Sequence, residues 1–459
     1  MNARGVAWRV LRDVHENDAY ANLVTPVALR EARLSRSDAG FVTELVYGTL
    51  RMQGLYDAVI ESAANRNLDQ IDSDVLDVLR LGSHQWIHLH TPAHAVVSES
   101  VNLARSVHLA KSAGFVNAVM RRVTERDPDE WIGRVAPDSL SATERLAVRF
   151  SHPSWIVDDL SRALAERGLA GEIEALLSAN NDAATVSLVD LRIARDAGAR
   201  HAEASESLDD ALEVDDRTPF SLNLLHGDPG SIVTQSGGQI RVQDVGSQLA
   251  ALALWGAREA SAGENWLDLC AGPGGKAALL AALAERSGAH LVANEVSEHR
   301  AKLVRQALAP FPDAHVTVND GRSYVASSER FDRVLVDAPC SGLGALRRRP
   351  EARWRRTPAD VADLVVLQQQ LLEAACHVVA PGGLLAYVTC TPSISETTDV
   401  LAHVMAGRND FTPVSVAPII RHVTHDAMTV SDDDPFVQLW PHINNTDAMF
   451  ISIFERSAK

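Results

Sequence analysis

Cysteine is scarce in this chain, with four residues in 459 (Cys270, Cys340, Cys376 and Cys390) and no CxxC pair. So few thiols at these spacings do not make a disulfide framework, and zinc sites built on paired cysteines are unsupported. Reduced thiols in a cytoplasmic protein are the expectation. Long apolar runs are missing too. No stretch approaches about 18 uncharged apolar residues, and the opening MNARGVAWRV holds no continuous apolar segment, so neither a membrane span nor a secretory signal is expected. Nor is there the basic excess of a simple nucleic-acid binder, because 43 Lys+Arg against 60 Asp+Glu leave a net charge of −17. That charge is unevenly spread. Residues 155–240 hold sixteen acids and six bases, whereas RRRPEARWRR (347–356) holds six arginines and one glutamate. Local fields, not the sum, decide where a phosphate backbone docks.

What is present suggests two or three domains, with 46% apolar and 22% charged residues as in ordinary globular protein. Apolar residues recur at helical spacing in GVAWRVLRDV, AGFVTELVYGTLR, SDVLDVLRLGSHQWI and GFVNAVMRRV. An all-α domain is therefore expected over 1–130, with a boundary at RDPDEW (126–131). A small α+β subdomain follows over 140–240, where TVSLVDLRI and SIVTQ look like strands. From 241 to 459 short apolar runs alternate with helices: NWLDLC, HLVANE, HVTVND, DRVLVDAP, LLAYVTC and AMFISIFE. This alternation predicts a doubly wound, mostly parallel α/β sheet with ligands at the carboxyl ends of its strands. Thr357 and Pro358 mark the start of the long helix that carries Cys376.

The strand ends carry the chemistry. DLCAGPGGK (268–276) ends the first strand in a glycine turn that lets a ligand approach backbone and the following helix. A dehydrogenase fingerprint would need glycine at 277, and a phosphate-binding Walker loop would need glycine at 270 and Ser/Thr at 277. Ala277 and Cys270 exclude both. Glu295 closes the second strand, where an acid can accept both ribose hydroxyls, and Asp320 the third, where a carboxylate can receive an adenine amino group. Three such ends together favour a nucleoside cofactor. The fourth and fifth ends bring Asp337 with Cys340 and, separately, Cys390; neighbouring strands would bring both thiols to one cleft. Cys376 lies in an apolar helix and reads as a small core residue.

DLCAGPGGK, VQDVGSQL (242–249), DAPCSGLGALRRRPEARW and the TC at 389–390 resemble the RNA (cytosine-C5) methyltransferase family. The helical start, with its GFVNAVMRRV, is similar to the NusB-type RNA-binding domain, and the pairing resembles the bacterial 16S ribosomal RNA branch, the RsmB/Sun group. The resemblance implies a Rossmann-like class I methyltransferase fold with a seven-stranded sheet and S-adenosylmethionine as cofactor. By the same resemblance Cys270, Ala271, Gly272, Pro273, Gly274, Gly275 and Lys276 wrap that cofactor, with Glu295 at the ribose, Asp320 at the adenine, and Arg300 and Asp337 nearby. It assigns Cys390 as the nucleophile that adds to cytosine C6 and Cys340 to product release. Asp337 would meet the base at N3, and Lys276 would orient Asp337. Arg347, Arg348, Arg349, Arg353, Arg355 and Arg356 are expected on phosphates, with Trp354 free to stack on a base. The chain departs from the family in Glu295 for the usual Asp, Thr397 after Glu396 where an asparagine is usual, and DAMF (447–450) for DGFF.

The partner expected is RNA, with 16S rRNA leading, no DNA, no membrane, and a monomeric enzyme. His84, His88, His90 and His94 lack a ligand pattern, and no metal is expected. Two other readings stand beside this one: a transfer-RNA cytosine-C5 methyltransferase, and a noncatalytic RNA-binding or ribosome-assembly factor. Intact Cys340, Cys390 and Asp337 weigh against the latter.

Overall fold

The computed structural model describes residues 2–196 and 209–458. The chain forms two compact units, one of residues 1–183 with 346–355 and the other of 184–345 with 356–459.

The first unit is helical. Its helices include Ala3–Glu16, Arg36–Arg51, Gln53–Ala64, Ser73–Ile87 and Ala113–Thr124, and continue through Pro128–Val135, Ala142–Arg149, Ser154–Glu166 and Ile173–Ala179. Asn2, Ser35, Asp72 and Asp127 start helices by accepting otherwise unpaired backbone N–H groups. Leu11, Leu45, Leu50, Leu55, Tyr56 and Ile60 are buried together. His84 and His88 share the Tyr56 hydroxyl, each through Nδ1, at 2.8 and 2.7 Å. Burial pushes His88 down to about 4. The first compact unit continues past the boundary expected at 126–131. Asp127 caps a helix there, and Trp131 is buried in the helical core with its Nε1 donating to the Val123 carbonyl at 2.7 Å.

The second unit carries two sheets. The smaller holds β1 (Val186–Asp190), β2 (Leu212–Asp215), β3 (Ser221–Leu224) and β4 (Ile240–Val242), all antiparallel, in the order β2-β3-β1-β4. The larger holds β5 (Asn265–Asp268), β6 (His290–Asn294), β7 (His315–Thr317), β8 (Phe331–Asp337), β9 (Val379–Thr389), β10 (Phe411–Val414), β11 (Val437–Gln438) and β12 (Phe450–Arg456). The order is β10-β12-β9-β8-β5-β6-β7, with β11 on β12, so the expected seven strands gain a two-residue eighth among the described residues. From β7 to β9 the sheet is parallel, and β12 runs antiparallel to both β9 and β10. The order reverses between β5 and β8, which opens a crevice at their carboxyl ends. The helix Gly275–Ser287 lies against this sheet through Ala277, Ala278, Ala281 and Ala282, all buried.

Residues 140–240, expected as a small α+β subdomain, are divided between the two units: the helices as far as Ala179 fall in the helical unit, and the strands, with the helices Leu191–Arg195 and Pro229–Gln235, in the α/β unit. SIVTQ, expected as a strand, completes the helix Pro229–Gln235, because Asp228 accepts from Gly230 N and Pro229 takes the first helical position. Among the described residues no helix is long and apolar enough to cross a membrane.

Candidate active site

Asp268 ends β5 and is fully buried. One carboxylate oxygen accepts from Cys270 N at 3.3 Å, while the other has no hydrogen-bond partner. Burial, with the charge of Asp337 second, raises its pKa to about 8. An unpaired buried carboxylate oxygen is costly unless a cation meets it. Beyond it the chain turns at Gly272, whose N–H donates to Glu295 Oε2 at 3.1 Å. A Cβ at 272 would lie 2.1 Å from that oxygen and 2.8 Å from the Arg300 guanidinium, so any larger residue would have to displace the Glu295 and Arg300 side chains. Gly274, at φ 108°, lies so close to Ala307 that a Cβ would approach it to 2.5 Å. Arg300 donates to the Gly272 carbonyl and lies 3.6 Å from Glu295. Glu295 also accepts from Ser297 N at 3.0 Å and is almost wholly buried. Each carboxylate oxygen has a second lone pair to offer ribose hydroxyls.

Asn294 binds the ends of three strands together. Its amide donates to the Leu269 and Asn319 carbonyls and accepts from Thr317 Oγ1 and Asn319 N. Asp320 starts the turn 321–326 by accepting from Arg322 N, and pairs with the Arg322 guanidinium at 2.6 Å on the surface. That pair holds its carboxyl below the usual range. Ala271 is buried and donates its N–H to the Asn294 carbonyl, whereas Pro273 is exposed. Cys270 is half-buried, and burial raises its thiol pKa.

Lys276 and Asp337 meet where β5 and β8 lie side by side. Lys276 Nζ donates to Asp337 Oδ2 at 2.9 Å. Burial works against the Lys276 ammonium, but the charge and hydrogen bond of Asp337 outweigh it and raise its pKa. Asp337 keeps 26% side-chain exposure, enough for a substrate group to reach it. Cys340 and Cys390, one after β8 and one after β9, lie with their sulfurs 3.3 Å apart and are both half-buried. We read Cys340 as the donor. Its S–H lowers the Cys390 pKa, with the Lys276 charge acting the same way, while Cys340 itself is raised by that hydrogen bond and by burial. Cys376, in the helix Pro358–Val378, is buried in the core, as expected.

The surrounding loops explain why distant motifs belong here. Gly344 N donates to the Cys390 carbonyl at 2.9 Å, and Ala448 N donates to the Gly344 carbonyl at 2.8 Å. Asp244, in VQDVGSQL, starts the helix Val245–Gly256 and accepts from Asp447 N at 3.0 Å, which ties this segment to DAMF. Two functional candidates were not singled out from the sequence. Asp268 looks like any strand-end acid until its burial and unpaired oxygen are seen. Glu396 is buried beneath Ser341 and Gln368.

Residues 257–455 match the family described as 16S rRNA methyltransferase RsmB/F, and residues 1–125 match the NusB family. A Mycobacterium tuberculosis chain whose name places it among methyltransferases is 43% identical over 455 residues, covering 99% of this chain and 96% of its own. The ribosomal RNA small subunit methyltransferase B of Pseudomonas syringae is 31% identical over 88% of this chain and 87% of its own. The chain belongs to the RsmB/F methyltransferase family. It is therefore an S-adenosylmethionine-dependent rRNA methyltransferase, and RNA is its substrate. Two solved structures share the fold. One titled PH0851 has a TM-score of 0.79 at 21% identity over 99% of both chains. A methyltransferase homologue from Pyrococcus horikoshii has a TM-score of 0.56 at 20% identity over 69% of this chain and 100% of its own. The residues fit the cofactor. The open oxygen of Asp268 suits an ammonium group, and the buried Glu295 carboxylate beside the glycine turn offers acceptors for ribose hydroxyls.

The arginine-rich segment differs from its expectation. Residues 346–355 belong to the helical unit. Arg353 is fully buried and donates to the carbonyls of Arg51 and Ser151 at 3.1 and 2.9 Å, to Asn181 Oδ1 at 2.8 Å and to the Asn180 carbonyl at 3.3 Å. Burial lowers its pKa to about 9. Arg347 is buried, and its carbonyl accepts from Arg51. Arg355 donates to the carbonyls of Val14, Asp18 and Ala19. The guanidiniums of Arg353 and Arg355 thus donate within the helical unit, and Arg347 is buried in it. Arg349 is exposed over the Tyr20 ring, Arg348 and Arg356 are half-buried, and Trp354 is 38% exposed beside Gly54.

Proposed function

We propose that this methyltransferase modifies C5 of a cytosine in 16S rRNA through a transient bond between Cys390 Sγ and base C6. The observation that carries the reading is the thiol pair 3.3 Å apart beside the Lys276–Asp337 ion pair. The small-subunit rRNA in the name of the Pseudomonas relative supports the choice of RNA.

Cytosine C5 is a weak nucleophile. Addition of the Cys390 thiolate at C6 pushes an electron pair toward C5, while Asp337, oriented by Lys276 and carrying a proton when the base is bound, donates to N3 and so offsets the charge developing on the ring. Bound S-adenosylmethionine supplies an electrophilic methyl group. Once the methyl had passed to C5, with the S–CH3 bond broken and S-adenosylhomocysteine as the leaving group, the adduct would be neutral and Cys390 a thioether. Cys340 then no longer faces a thiolate, so the chief cause of its raised pKa disappears and it can release its proton to water. Its thiolate takes the C5 proton, the C5–C6 double bond reforms, and the C6–S electron pair returns to Cys390. The pair ends as it began, Cys390 as thiolate and Cys340 as thiol. The target base must leave its stack to reach this cleft.

Bisulfite sequencing of 16S rRNA tests the reading in cells with the intact chain, with Cys390→Ala, or with neither. One cytosine should resist conversion only when the intact chain is present. Equal conversion at every cytosine in all three would contradict it.

A further inference from the structure

We propose that Glu396 is a positioning residue that fixes the Cys340 loop against the segment after Cys390 and thereby governs release of the methylated RNA. The inference rests on the covalent reading above. Glu396 is fully buried, and one carboxylate oxygen accepts from Ser341 N at 2.7 Å and Gln368 Nε2 at 3.0 Å. The other accepts from the Ser341 hydroxyl, which lies 3.1 Å from Thr391 Oγ1. Gln368 Nε2 also donates to the Pro339 carbonyl at 2.8 Å. The residues on both sides of Cys340, and the residue after Cys390, are thus tied to one carboxylate. Its own backbone is pinned as well, because the Tyr387 hydroxyl donates to the Glu396 carbonyl at 2.8 Å.

A carboxylate buried among neutral partners is expensive, and burial raises its pKa. What it maintains is the short distance between the two thiols. Cys390 directly follows β9, whose last residue, Thr389, pairs with Phe450 of β12. The loop of Cys340 is tied farther along, where Gly344 donates to the Cys390 carbonyl, but the residues on either side of Cys340 are held by Glu396 through Ser341 and Gln368. Loosening Glu396 should therefore displace Cys340 more than Cys390, so that adduct forms but is not resolved.

The test compares Glu396→Gln, Ser341→Ala and Cys340→Ala in the full chain with S-adenosylmethionine and rRNA. Single-turnover methyl transfer, multiple-turnover rate and the fraction of RNA covalently bound on denaturing gels are read together. Cys340→Ala should accumulate adduct. Glu396→Gln should keep single-turnover transfer within about threefold while multiple turnover falls at least about tenfold and adduct rises toward the Cys340→Ala level. Ser341→Ala should move the same way by less. It decides the matter if Glu396→Gln does not fold. Loss of transfer and turnover in parallel, without adduct, would reduce Glu396 to a structural role and overturn the proposal. If Cys340→Ala forms no adduct, the covalent reading itself fails, and this inference falls with it.

Discussion

At the carboxyl ends of β5, β8 and β9, Asp268, Asp337, Cys340 and Cys390 meet Lys276 with part of their bonding capacity open. Asp268 has an unpaired oxygen, Asp337 is a quarter exposed, and both thiols are half-buried. Residues 347–356 are as rich in charge, yet the terminal guanidinium nitrogens of Arg353 and Arg355 donate chiefly to carbonyl oxygens of the helical unit, with Arg353 Nε buried and left over. The difference lies in whether the fold has already supplied each polar group with partners. A strand end projects side chains into a crevice where the next partner must come from outside. A guanidinium drawn into a helical core satisfies helix-end carbonyls, and its charge is consumed there.

Removal of each group should sort the two regions by the kind of loss, and the largest loss belongs to the thiol. Cys390→Ala should lower methyl transfer by on the order of 10³-fold or more without altering the unfolding midpoint; retention of a tenth of the rate would break the contrast. Lys276→Met leaves Asp337 without its partner, and single-turnover transfer should fall by roughly 10²-fold, a number that a rapid-quench assay reads directly. Arg353→Ala is the reciprocal case. Losing four hydrogen bonds in a buried setting should cost about 3 kcal/mol in urea unfolding. Its RNA affinity should keep the same dependence on salt. A normal midpoint with a salt slope reduced by about one would return Arg353 to the phosphate contacts.

The smallest effect is expected at Asp268. Its folded pKa of about 8 lies above that of an unfolded aspartate, near ~3.9. The folded protein thus holds a proton that the unfolded chain releases, and ligand-free stability should fall as pH rises between those values. Asp268→Asn should flatten that slope and weaken S-adenosylmethionine binding about tenfold by calorimetry. An unchanged slope would show that another group causes it.

Much of the site is legible in residue order, because strand ends are local features. The glycine turn at 272–275, Glu295, Asp337 and the two thiols all stand where an apolar run stops. The long helix after Thr357 is equally local, and its capping box forms with Asp360. The remainder depends on tertiary burial, which charge and spacing do not encode. RDPDEW has the composition of a linker, yet Trp131 carries it into the core. Six clustered arginines look like a phosphate-binding patch until Ser151, Asn180 and Asn181, far away in the chain, meet Arg353. Glu396 acquires its place only when β8 and β9 pair and bring Ser341 over it.

Identification of the residue that bonds to RNA tests the central claim most directly. Cys340→Ala protein would be incubated with rRNA and S-adenosylmethionine, digested with protease and nuclease, and the nucleotide-bearing peptide sequenced by mass spectrometry. The account predicts a methylated cytidine adduct on Cys390. An adduct on another residue, or RNA methylated with no bond to the protein at any time, would contradict it.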